Sequence, residues 1–470
     1  MQTQTILHST PDVRAVLAAA MPSGAMEVTV GIDLGSTTTK AILLDTSGQI
    51  VGRGITNSRS NYEVAAAVAR EEALTAVRFS LLGRVLESAG QAAQQLAEPL
   101  TEAFRLELYM GELAALRSEI LGLLEKPGHA AHRAALQPAA EAVLDKMAQT
   151  ASSLFGPGAG RKSDFFRDLA GAAYVAEAEA LANVKGSGVP FERLVGLYDR
   201  AILDVETRLE SRDFGVLLEK AAMHVLPVGE RASWLREVVR AVGSSRIAEV
   251  AFVGTGYGRQ TLPFPKETVR SEILCHGRGA HRIFPGTRTV LDIGGQDTKG
   301  IQVDDGGVVT SFQMNDRCAA GCGRYLGYIA DELNLGLHEL GPLALQAKKQ
   351  VRVNSTCTVF AGAELRDRLA LGQRREDILA GLHRAIMLRA MSILARSGGI
   401  SDQFTFTGGV CNNPMAVKVL RELVAQTYGE NITVNTHSSS IYMGALGASM
   451  YALDDHHAGR GGILPTFAQG

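Results

Sequence analysis

The order of apolar and polar positions divides the chain into stretches of different character. Residues Glu27–Asp45 read EVTVGIDLGSTTTKAILLD, in which two apolar runs flank a Gly/Ser/Thr turn, and Gln49–Thr56 adds a third run. Short apolar runs that are rich in β-branched residues and bounded by turn residues are typical of strands. This part of the chain is therefore predicted to form a β-hairpin followed by a third strand.

The next stretch has a helical pattern. From Tyr62 to Ile247 the chain is rich in Ala, Leu, Glu and Arg with helical spacing, and strand signals return only at Ala248–Val253. Helices and strands then alternate, with strands predicted at Thr289–Ile293, Thr298–Val303, Val308–Met314, Gln403–Thr407 and Ile432–Asn435. The pattern predicts an α/β protein interrupted by a long helical segment.

Two distant segments of the chain repeat one pattern. Asp33–Lys40 reads DLGSTTTK and Asp292–Lys299 reads DIGGQDTK, so both follow D-φ-G-x-x-x-T-K, where φ is apolar. Each copy follows an apolar strand and leads into another. Two such strand–turn–strand units predict two similar α/β lobes that face each other, with the helical segment inserted into the first lobe.

The repeated turns have the composition of phosphate-binding loops. Backbone N–H groups and hydroxyls of a Gly/Ser/Thr turn form a small concavity that suits phosphate oxygens. A carboxylate at each strand end, Asp33 and Asp292, can hold Mg²⁺ directly or through water. We therefore expect a triphosphate and a metal between the two loops, although an ordinary glycine hairpin is the alternative for each loop taken alone.

A third glycine-rich turn, Thr407–Asn413, lies between a predicted strand and a predicted helix. Its paired glycines, Gly408 and Gly409, would let a flat ring approach the backbone, which favours an adenine or ribose site. A strand-to-helix turn without any ligand is the alternative interpretation.

Charge and cysteine content narrow the class of protein. Lys and Arg number 47 against 49 Asp and Glu, which leaves a net charge of −2 and argues against binding nucleic acid by charge. No run reaches the roughly 18 apolar residues of a membrane span, so no membrane partner is expected either. The five cysteines are an odd number and too few for a disulfide framework, which favours the cytoplasm.

Two of the cysteines are candidates for metal ligands. Cys318 and Cys357 each precede a predicted helix, where the helix N-terminus stabilises a thiolate and suits an iron–sulfur cluster. A [4Fe–4S] cluster needs four thiolates, so a second chain would supply the other two. Buried structural thiols are the alternative for this pair, and Cys275 and Cys411 are expected to be core or turn thiols.

As a set, these motifs resemble the ATPases of benzoyl-CoA reductases and the activators of 2-hydroxyacyl-CoA dehydratases. The resemblance covers Glu27–Arg59 and Ala248–Leu453 and rests on VGIDLGSTTTK, GTGYGR, LDIGGQDTK, QMNDRCAAGCGRYL, NSTCTVFAGAE and FTGGVCNNP. It implies an α/β fold of two RNase H-like lobes, as in actin, sugar kinases and heat-shock chaperones, with a large all-α insertion in the first lobe.

The resemblance also implies domain boundaries. The first ATPase lobe is expected at residues 1–61 and 248–286, completed by a C-terminal helix at 441–453. The helical insertion is expected at 62–247, the second lobe with the cluster cysteines at 287–440, and a flexible tail at 454–470.

The resemblance implies the following site residues. Asp33, Asp292 and Gln296 are the expected catalytic residues, and both aspartates would face Mg²⁺. Cys318 and Cys357 would ligate a [4Fe–4S] cluster shared with a second subunit, while Cys322 departs from the family pattern and is expected to be inert. The residues expected to bind ATP are Gly35, Ser36, Thr37, Thr38, Lys40, Gly294, Gly295, Gly408 and Gly409.

The function implied is that of an ATP-hydrolysing electron-activation subunit. It would pass electrons from reduced ferredoxin, through the cluster shared with a homologous ATPase subunit, to catalytic acyl-CoA reductase subunits of the benzoyl-CoA type. The long insertion favours this reading over the compact activators of 2-hydroxyacyl-CoA dehydratases, which are the first alternative. A small-molecule kinase of the same superfamily and a non-catalytic scaffold are the others.

Overall fold

A computed structural model describes residues 11–58, 61–156, 159, 165–183, 190–207, 213–256, 262–315, 323–349, 351–353, 358–401 and 403–465. The chain divides into two compact units. Within the described residues, one unit comprises 11–26 and 75–248, and the other comprises 27–74 and 249–465.

The strands and helices have the following bounds. The strands are β1 (Met26–Leu34), β2 (Thr38–Asp45), β3 (Ile50–Asn57), β4 (Ile247–Gly256), β5 (Thr289–Ile293), β6 (Thr298–Val303), β7 (Val309–Asn315), β8 (Phe404–Thr407) and β9 (Val434–Asn435). The helices are α1 (Val13–Ala20), α2 (Tyr62–Ser88), α3 (Gln91–Gln94), α4 (Ala97–Glu125), α5 (Arg133–Thr150), α6 (Phe166–Ala182), α7 (Phe191–Thr207), α8 (Phe214–Val225), α9 (Glu230–Gly243), α10 (Glu272–Ile283), α11 (Gly323–Glu332), α12 (Leu337–Ala344), α13 (Thr358–Ala370), α14 (Arg375–Ser397), α15 (Pro414–Tyr428) and α16 (Met443–His457).

The first unit is helical and has a core of its own. Leu113, Leu116 and Ile120 are buried on one face of α4, at the three- and four-residue spacing that places side chains on the same side of a helix. This helix packs against α5, α7 and α8. The core also contains Tyr174 and Tyr198, whose rings stack with centroids 5.1 Å apart. The part of the predicted helical segment from residue 75 onwards thus has a hydrophobic core of its own, whereas residues 62–74 belong to the other unit.

The second unit contains two sheets with related strand order. The first sheet has the order β3-β2-β1-β4 and the second β7-β6-β5-β8-β9. In the first hairpin Asp33 lies opposite Lys40, and in the second Asp292 lies opposite Lys299. The predicted repeat therefore forms two hairpins of identical register. The last predicted strand is shorter than expected, because β9 pairs with β8 at only two positions.

Two helices, α10 and α16, pack against each other and against different sheets. Ile273 of α10 belongs to a buried cluster with Val290 and Ile301 of the second sheet. Leu446 of α16 belongs to a buried cluster with Ile42 of the first sheet. Helix α10 follows the first sheet in the chain but packs on the second, so its side chains can reach both hairpins.

Among the described residues, one helix, α14, is long and apolar enough to cross a membrane by length and composition. About three-quarters of its apolar window, 72%, is buried inside the protein. Leu382 and Ile386 of this helix pack in a cluster with Phe404 and Phe406 of β8. These contacts make α14 a core helix of the second unit.

Candidate nucleotide and metal site

The two repeated aspartates meet at one histidine of α10. Asp33 and Asp292 are both buried, at 3% and 2% exposure. His276 Nε2 lies 3.7 Å from Asp33 Oδ2, and His276 Nδ1 lies 3.3 Å from Asp292 Oδ1. The structure thus brings together the two carboxylates that the sequence predicts to face each other, with an imidazole between them.

The charge of this histidine is set by its neighbours. Burial alone would lower the pKa of His276, but the negative charges of Asp292 and Asp33 outweigh burial and raise that pKa to about 9. Burial would raise the pKa of Asp292, but the positive charges of His276 and Lys299 hold it well below its usual value. The Thr407 hydroxyl also donates to Asp292 Oδ1 at 2.9 Å. Asp292 is therefore a stable anion.

Lys299 is the second buried cation of the site. Its Nζ lies 2.9 Å from Glu272 Oε1, 3.3 Å from Asp292 Oδ2 and 2.8 Å from Asp297 Oδ2. Burial alone would lower the pKa of Lys299, but these three carboxylates raise it well above the usual value. Because these three carboxylates surround the buried ammonium group, we assign Lys299 a structural role, in which it neutralises the carboxylates and fixes their positions.

The donor set fits a divalent cation. One oxygen of the buried Asp33 carboxylate, Oδ1, has no hydrogen-bond partner among the described residues. Donor atoms of Asp33, Glu272 and His276 all lie within 4.8 Å of one another. Carboxylate oxygens are the ligands that Mg²⁺ prefers in proteins, so these residues could hold the metal of a bound nucleotide. That metal would supply positive charge to the phosphates of the nucleotide.

The two predicted phosphate loops touch each other. A Cβ added to Gly295 would lie 2.1 Å from Thr37 Oγ1 and 3.1 Å from Ser36 Oγ, so the backbone of one loop packs on the hydroxyls of the other. The first loop is held by Ser58 at the end of β3. Its hydroxyl donates to the Gly35 carbonyl, and its N–H donates to the Thr37 carbonyl at 2.7 Å.

Matched glycines lie at the end of the fourth strand of each sheet. Gly256, the last residue of β4, has φ +133° and would place a Cβ 2.3 Å from the Leu34 carbonyl oxygen. Gly408 after β8 has φ +85° and would place a Cβ 2.3 Å from the Ile293 carbonyl oxygen. Leu34 and Ile293 directly follow the two aspartates, so each glycine lets its turn lie against the start of a phosphate loop.

The remaining predicted nucleotide contacts lie around these loops. Lys40 is half-buried, and its Nζ donates to the Thr38 carbonyl at 3.1 Å, so the side chain folds back onto its own turn. The Gly294 N–H donates to the Asp297 carbonyl and closes the second turn. Gln296 is half-buried in this turn, whereas Gly409 is exposed beside Gly408. Lys40, Gln296 and Gly409 thus keep some exposure to solvent, whereas Gly408 is buried.

The N-terminus of α11 is hydrogen bonded to the second phosphate loop. The N–H groups of Gly323 and Arg324 donate to the carbonyls of Gly294 and Gly295, each at 2.8 Å. These donors are N–H groups that the helix itself leaves unsatisfied in its first turn. These two hydrogen bonds connect the second phosphate loop directly to the start of α11.

The predicted cluster ligands Cys318 and Cys357, like Cys322, lie outside the described residues. The helices predicted to follow them are present, since α11 begins at Gly323 and α13 at Thr358. These two helices pack together, because a Cβ on Gly362 would lie 2.5 Å from the Tyr328 hydroxyl oxygen. Among the described residues, the two other cysteines are buried and free, as predicted.

Five residues of this site received no role from the sequence: Ser58, Glu272, His276, Lys299 and Thr407. Glu272 and His276 are four positions apart in an otherwise apolar helical stretch, EILCH. An acidic and a basic side chain on one buried helix face is the signal that could have found them. Lys299 occupies the repeated Lys position, but only the tertiary structure shows its burial.

The sequence matches the profile of the BadF/BadG/BcrA/BcrD ATPase family over residues 30–452. The chain belongs to this family. The family is described as one of ATPases, and an ATP-binding role agrees with the two aspartate hairpins and their glycine-rich turns.

Two relatives and one solved structure describe the similarity further. The chain is 41% identical over 205 residues to the (R)-2-hydroxyglutaryl-CoA dehydratase activating ATPase of Acidaminococcus fermentans, covering 43% of this chain and 76% of that protein. It is 28% identical over 246 residues to a benzoyl-CoA reductase subunit of Thauera aromatica, covering 48% and 87%. The sequence identity is thus higher to the dehydratase-activating ATPase than to the benzoyl-CoA reductase subunit. The long insertion had favoured the reductase type instead.

The solved structure is that of (R)-2-hydroxyglutaryl-CoA dehydratase component A from Acidaminococcus fermentans. It matches with a TM-score of 0.51 and 22% identity, over 92% of this chain and 99% of that one. This likeness concerns the fold alone, and it confirms the mixed α/β architecture that the sequence predicts.

Proposed function

We propose that this chain is the ATP-hydrolysing, electron-activating component of an acyl-CoA dehydratase system. The observation that carries this proposal is the pair of aspartate hairpins that converge on His276, beside a phosphate loop that is hydrogen bonded to α11. The aspartates would hold Mg²⁺ and ATP, with Gln296 at the loop that would face the terminal phosphate. Transfer of a phosphoryl group depends on this kind of positioning and charge stabilisation.

The same loop leads to the predicted cluster segments. Cys318 lies shortly before α11 and Cys357 directly before α13, and these two helices pack on each other. A [4Fe–4S] cluster, when bound by these cysteines and by those of a second subunit, would supply one-electron chemistry at low potential. Because Gly323 and Arg324 bond to the loop at Gly294 and Gly295, nucleotide-dependent movement of the loop would move the first turn of α11.

The dehydratase system is preferred to the benzoyl-CoA reductase system because of the higher identity to a dehydratase-activating ATPase. The second candidate, an ATPase subunit of a benzoyl-CoA-type reductase, is favoured by the 28% identity that covers 87% of such a subunit. In either case the acyl-CoA would be reduced in catalytic partner subunits, with reduced ferredoxin as electron donor. We propose a cytoplasmic location for the protein.

Anaerobic purification tests the proposal. We expect iron and sulfide in the amounts of one [4Fe–4S] cluster per pair of chains, and loss of the reduced-cluster electron paramagnetic signal in Cys318→Ser and Cys357→Ser. Cys411→Ser is the matched control, because this thiol is buried away from water and is expected to leave the signal intact.

The outcomes separate the alternatives. A full cluster signal in both cysteine variants would refute the ligand assignment. An iron-free protein that phosphorylates a metabolite would support a kinase instead, and a protein without ATPase activity would support a scaffold. Stable co-elution with catalytic subunits would favour the reductase type, whereas a partner that dissociates would favour the dehydratase type.

A further inference from the structure

The buried groups around α10 form a donor set that includes nitrogen as well as oxygen. Glu272 and His276 are one helical turn apart and point to the same side of α10, towards Asp33. His276 Nε2 lies 3.7 Å from Asp33 Oδ2 and 3.9 Å from Glu272 Oε1. A carboxylate from the first hairpin and two side chains from α10 thus surround one point.

One atom in this group lacks the hydrogen bonds that buried polar atoms normally make. Asp33 Oδ1 has no hydrogen-bond partner among the described residues, and the Asp33 side chain is at least nine-tenths buried. Leaving a buried polar group unpaired destabilises the folded protein, and more so when the group is charged. A cation that this carboxylate also contacts through Oδ1 would remove that cost.

The local charge count also calls for a cation. Four carboxylates are buried around α10, whereas the described residues provide only the Lys299 ammonium and the His276 imidazole against them. The carboxylates belong to Asp33, Glu272, Asp292 and Asp297. With a neutral imidazole, the form that can ligate a metal, Lys299 leaves three of the four negative charges without a counterion in a region from which water is excluded. One divalent cation would offset two of them.

The second ring nitrogen of His276, Nδ1, faces a carboxylate, as the second nitrogen of a metal-bound histidine usually does. When one ring nitrogen ligates a metal, the other usually faces a carboxylate, which orients the ring. Here Nε2 faces Asp33 and Glu272, and Nδ1 lies 3.3 Å from Asp292 Oδ1. Asp292 is itself fixed by Thr407 and Lys299. The ring orientation is therefore already that of a metal ligand.

We propose that Asp33, Glu272 and His276 bind a divalent cation directly, through two carboxylates and His276 Nε2, even when no nucleotide is present. The cation replaces the proton on Nε2, since only a neutral imidazole can ligate. Mg²⁺ prefers oxygen ligands alone, whereas an imidazole suits transition metals, so the site binds Mn²⁺ more tightly than Mg²⁺. The role of this cation rests on the proposed function, but its binding does not require ATP.

The test uses the full chain, Mn²⁺ and no nucleotide. The electron paramagnetic signal of free Mn²⁺ measures binding, and pulsed spectroscopy of protein with ¹⁵N-labelled histidine detects a nitrogen bound to the metal. We expect one tight Mn²⁺ per chain, a histidine nitrogen coupling, and weaker competition by Mg²⁺. No Mn²⁺ bound without nucleotide, or bound Mn²⁺ without nitrogen coupling, would overturn the proposal, and neither measurement needs a variant that folds.

Variants then assign the ligands. His276→Asn should weaken Mn²⁺ binding by at least about tenfold and abolish the nitrogen coupling, while Glu272→Gln should weaken binding but keep the coupling. His281→Asn makes the same change on the same helix, where His281 Nε2 faces the Asp305 carbonyl instead, and should bind as the unaltered chain does. Unchanged Mn²⁺ affinity in folded His276→Asn would contradict the proposal. A failure of ATP hydrolysis would not affect these measurements.

Discussion

The hairpins Asp33–Lys40 and Asp292–Lys299 share a sequence pattern and a register, but their charged groups have different surroundings. In the second hairpin the lysine is 1% exposed and lies among three carboxylates. In the first hairpin Lys40 is half-buried and bonds to a backbone carbonyl of its own turn. The aspartates differ in the same way, since Asp292 accepts a hydrogen bond from Thr407 while Asp33 Oδ1 has no partner among the described residues.

This difference indicates a division of labour between the two copies. In the second hairpin Asp292 and Lys299 are paired within the protein, as expected for a fixed element that positions its neighbours. The first hairpin keeps an unsatisfied carboxylate oxygen, as expected for an element that binds a ligand. Repetition of a sequence pattern therefore predicts the shared backbone, but not the shared role of each residue.

The largest expected loss of stability is that of Lys299→Met, for which Lys40→Met is the matched comparison. Lys299→Met leaves three buried carboxylates without their cation, and breaking such a buried network typically costs about 3–5 kcal/mol. Lys40→Met removes one hydrogen bond to a carbonyl and should cost less than about 1.5 kcal/mol. Denaturant unfolding followed by circular dichroism compares the two. Equal losses would contradict the division of labour.

The two aspartates should separate activity from stability. Asp33→Asn and Asp292→Asn should each lower ATP hydrolysis by on the order of 10²–10³-fold, because each removes charge from the expected metal and phosphate site. Only Asp292→Asn should also lower the free energy of unfolding, by about 2 kcal/mol, since Asp292 has three charged or polar partners. Comparable destabilisation by Asp33→Asn would mean that Asp33 is as fully partnered as Asp292.

A second buried histidine offers a contrast with His276. His383 faces the Leu379 carbonyl and Asn413 Nδ2, and burial lowers its pKa to about 4. Because its pKa in the unfolded chain is about 6.5, its neutral form favours folding above that pH. Stability should fall as the pH decreases from about 6.5 to 4, by up to about 3 kcal/mol.

Unfolding curves at several pH values measure this effect, and the decline should be smaller in His383→Gln. Asn413 also caps α15, with its Oδ1 accepting from the N–H groups of Met415 and Ala416. If the variant and the unaltered chain lose stability in parallel over this range, the acid sensitivity does not come from His383.

At the matched glycines the expected effect is confined to stability. Gly256→Ala and Gly408→Ala each force an alanine into a positive φ and against a carbonyl oxygen, at a cost of roughly 1–3 kcal/mol. Gly409→Ala is the control for stability, because a Cβ there would have no atom within 4 Å. Thermal unfolding ranks the three variants. A tolerated Gly408→Ala would show that the turn can move away from Ile293.

The sequence predicts the strands and the repeated hairpins well, because alternating apolar runs and turn residues are local signals. It also predicts that Asp33 and Asp292 face each other. It does not predict Glu272 and His276 as partners of these aspartates, since their role depends on α10 packing against the second sheet. Nor does it distinguish Lys40 from Lys299, whose burial depends on carboxylates brought from three segments of the chain.

The most direct test of the account is electron transfer that depends on ATP hydrolysis. Chemically reduced protein is mixed anaerobically with an acyl-CoA dehydratase, and oxidation of the [4Fe–4S] cluster is followed with ATP, with a non-hydrolysable analogue, and in Asp292→Asn. We expect rapid oxidation of the cluster in the unaltered protein with ATP, and no oxidation with the analogue or in Asp292→Asn. Equal oxidation with and without ATP, or protein that contains no iron, would contradict the account.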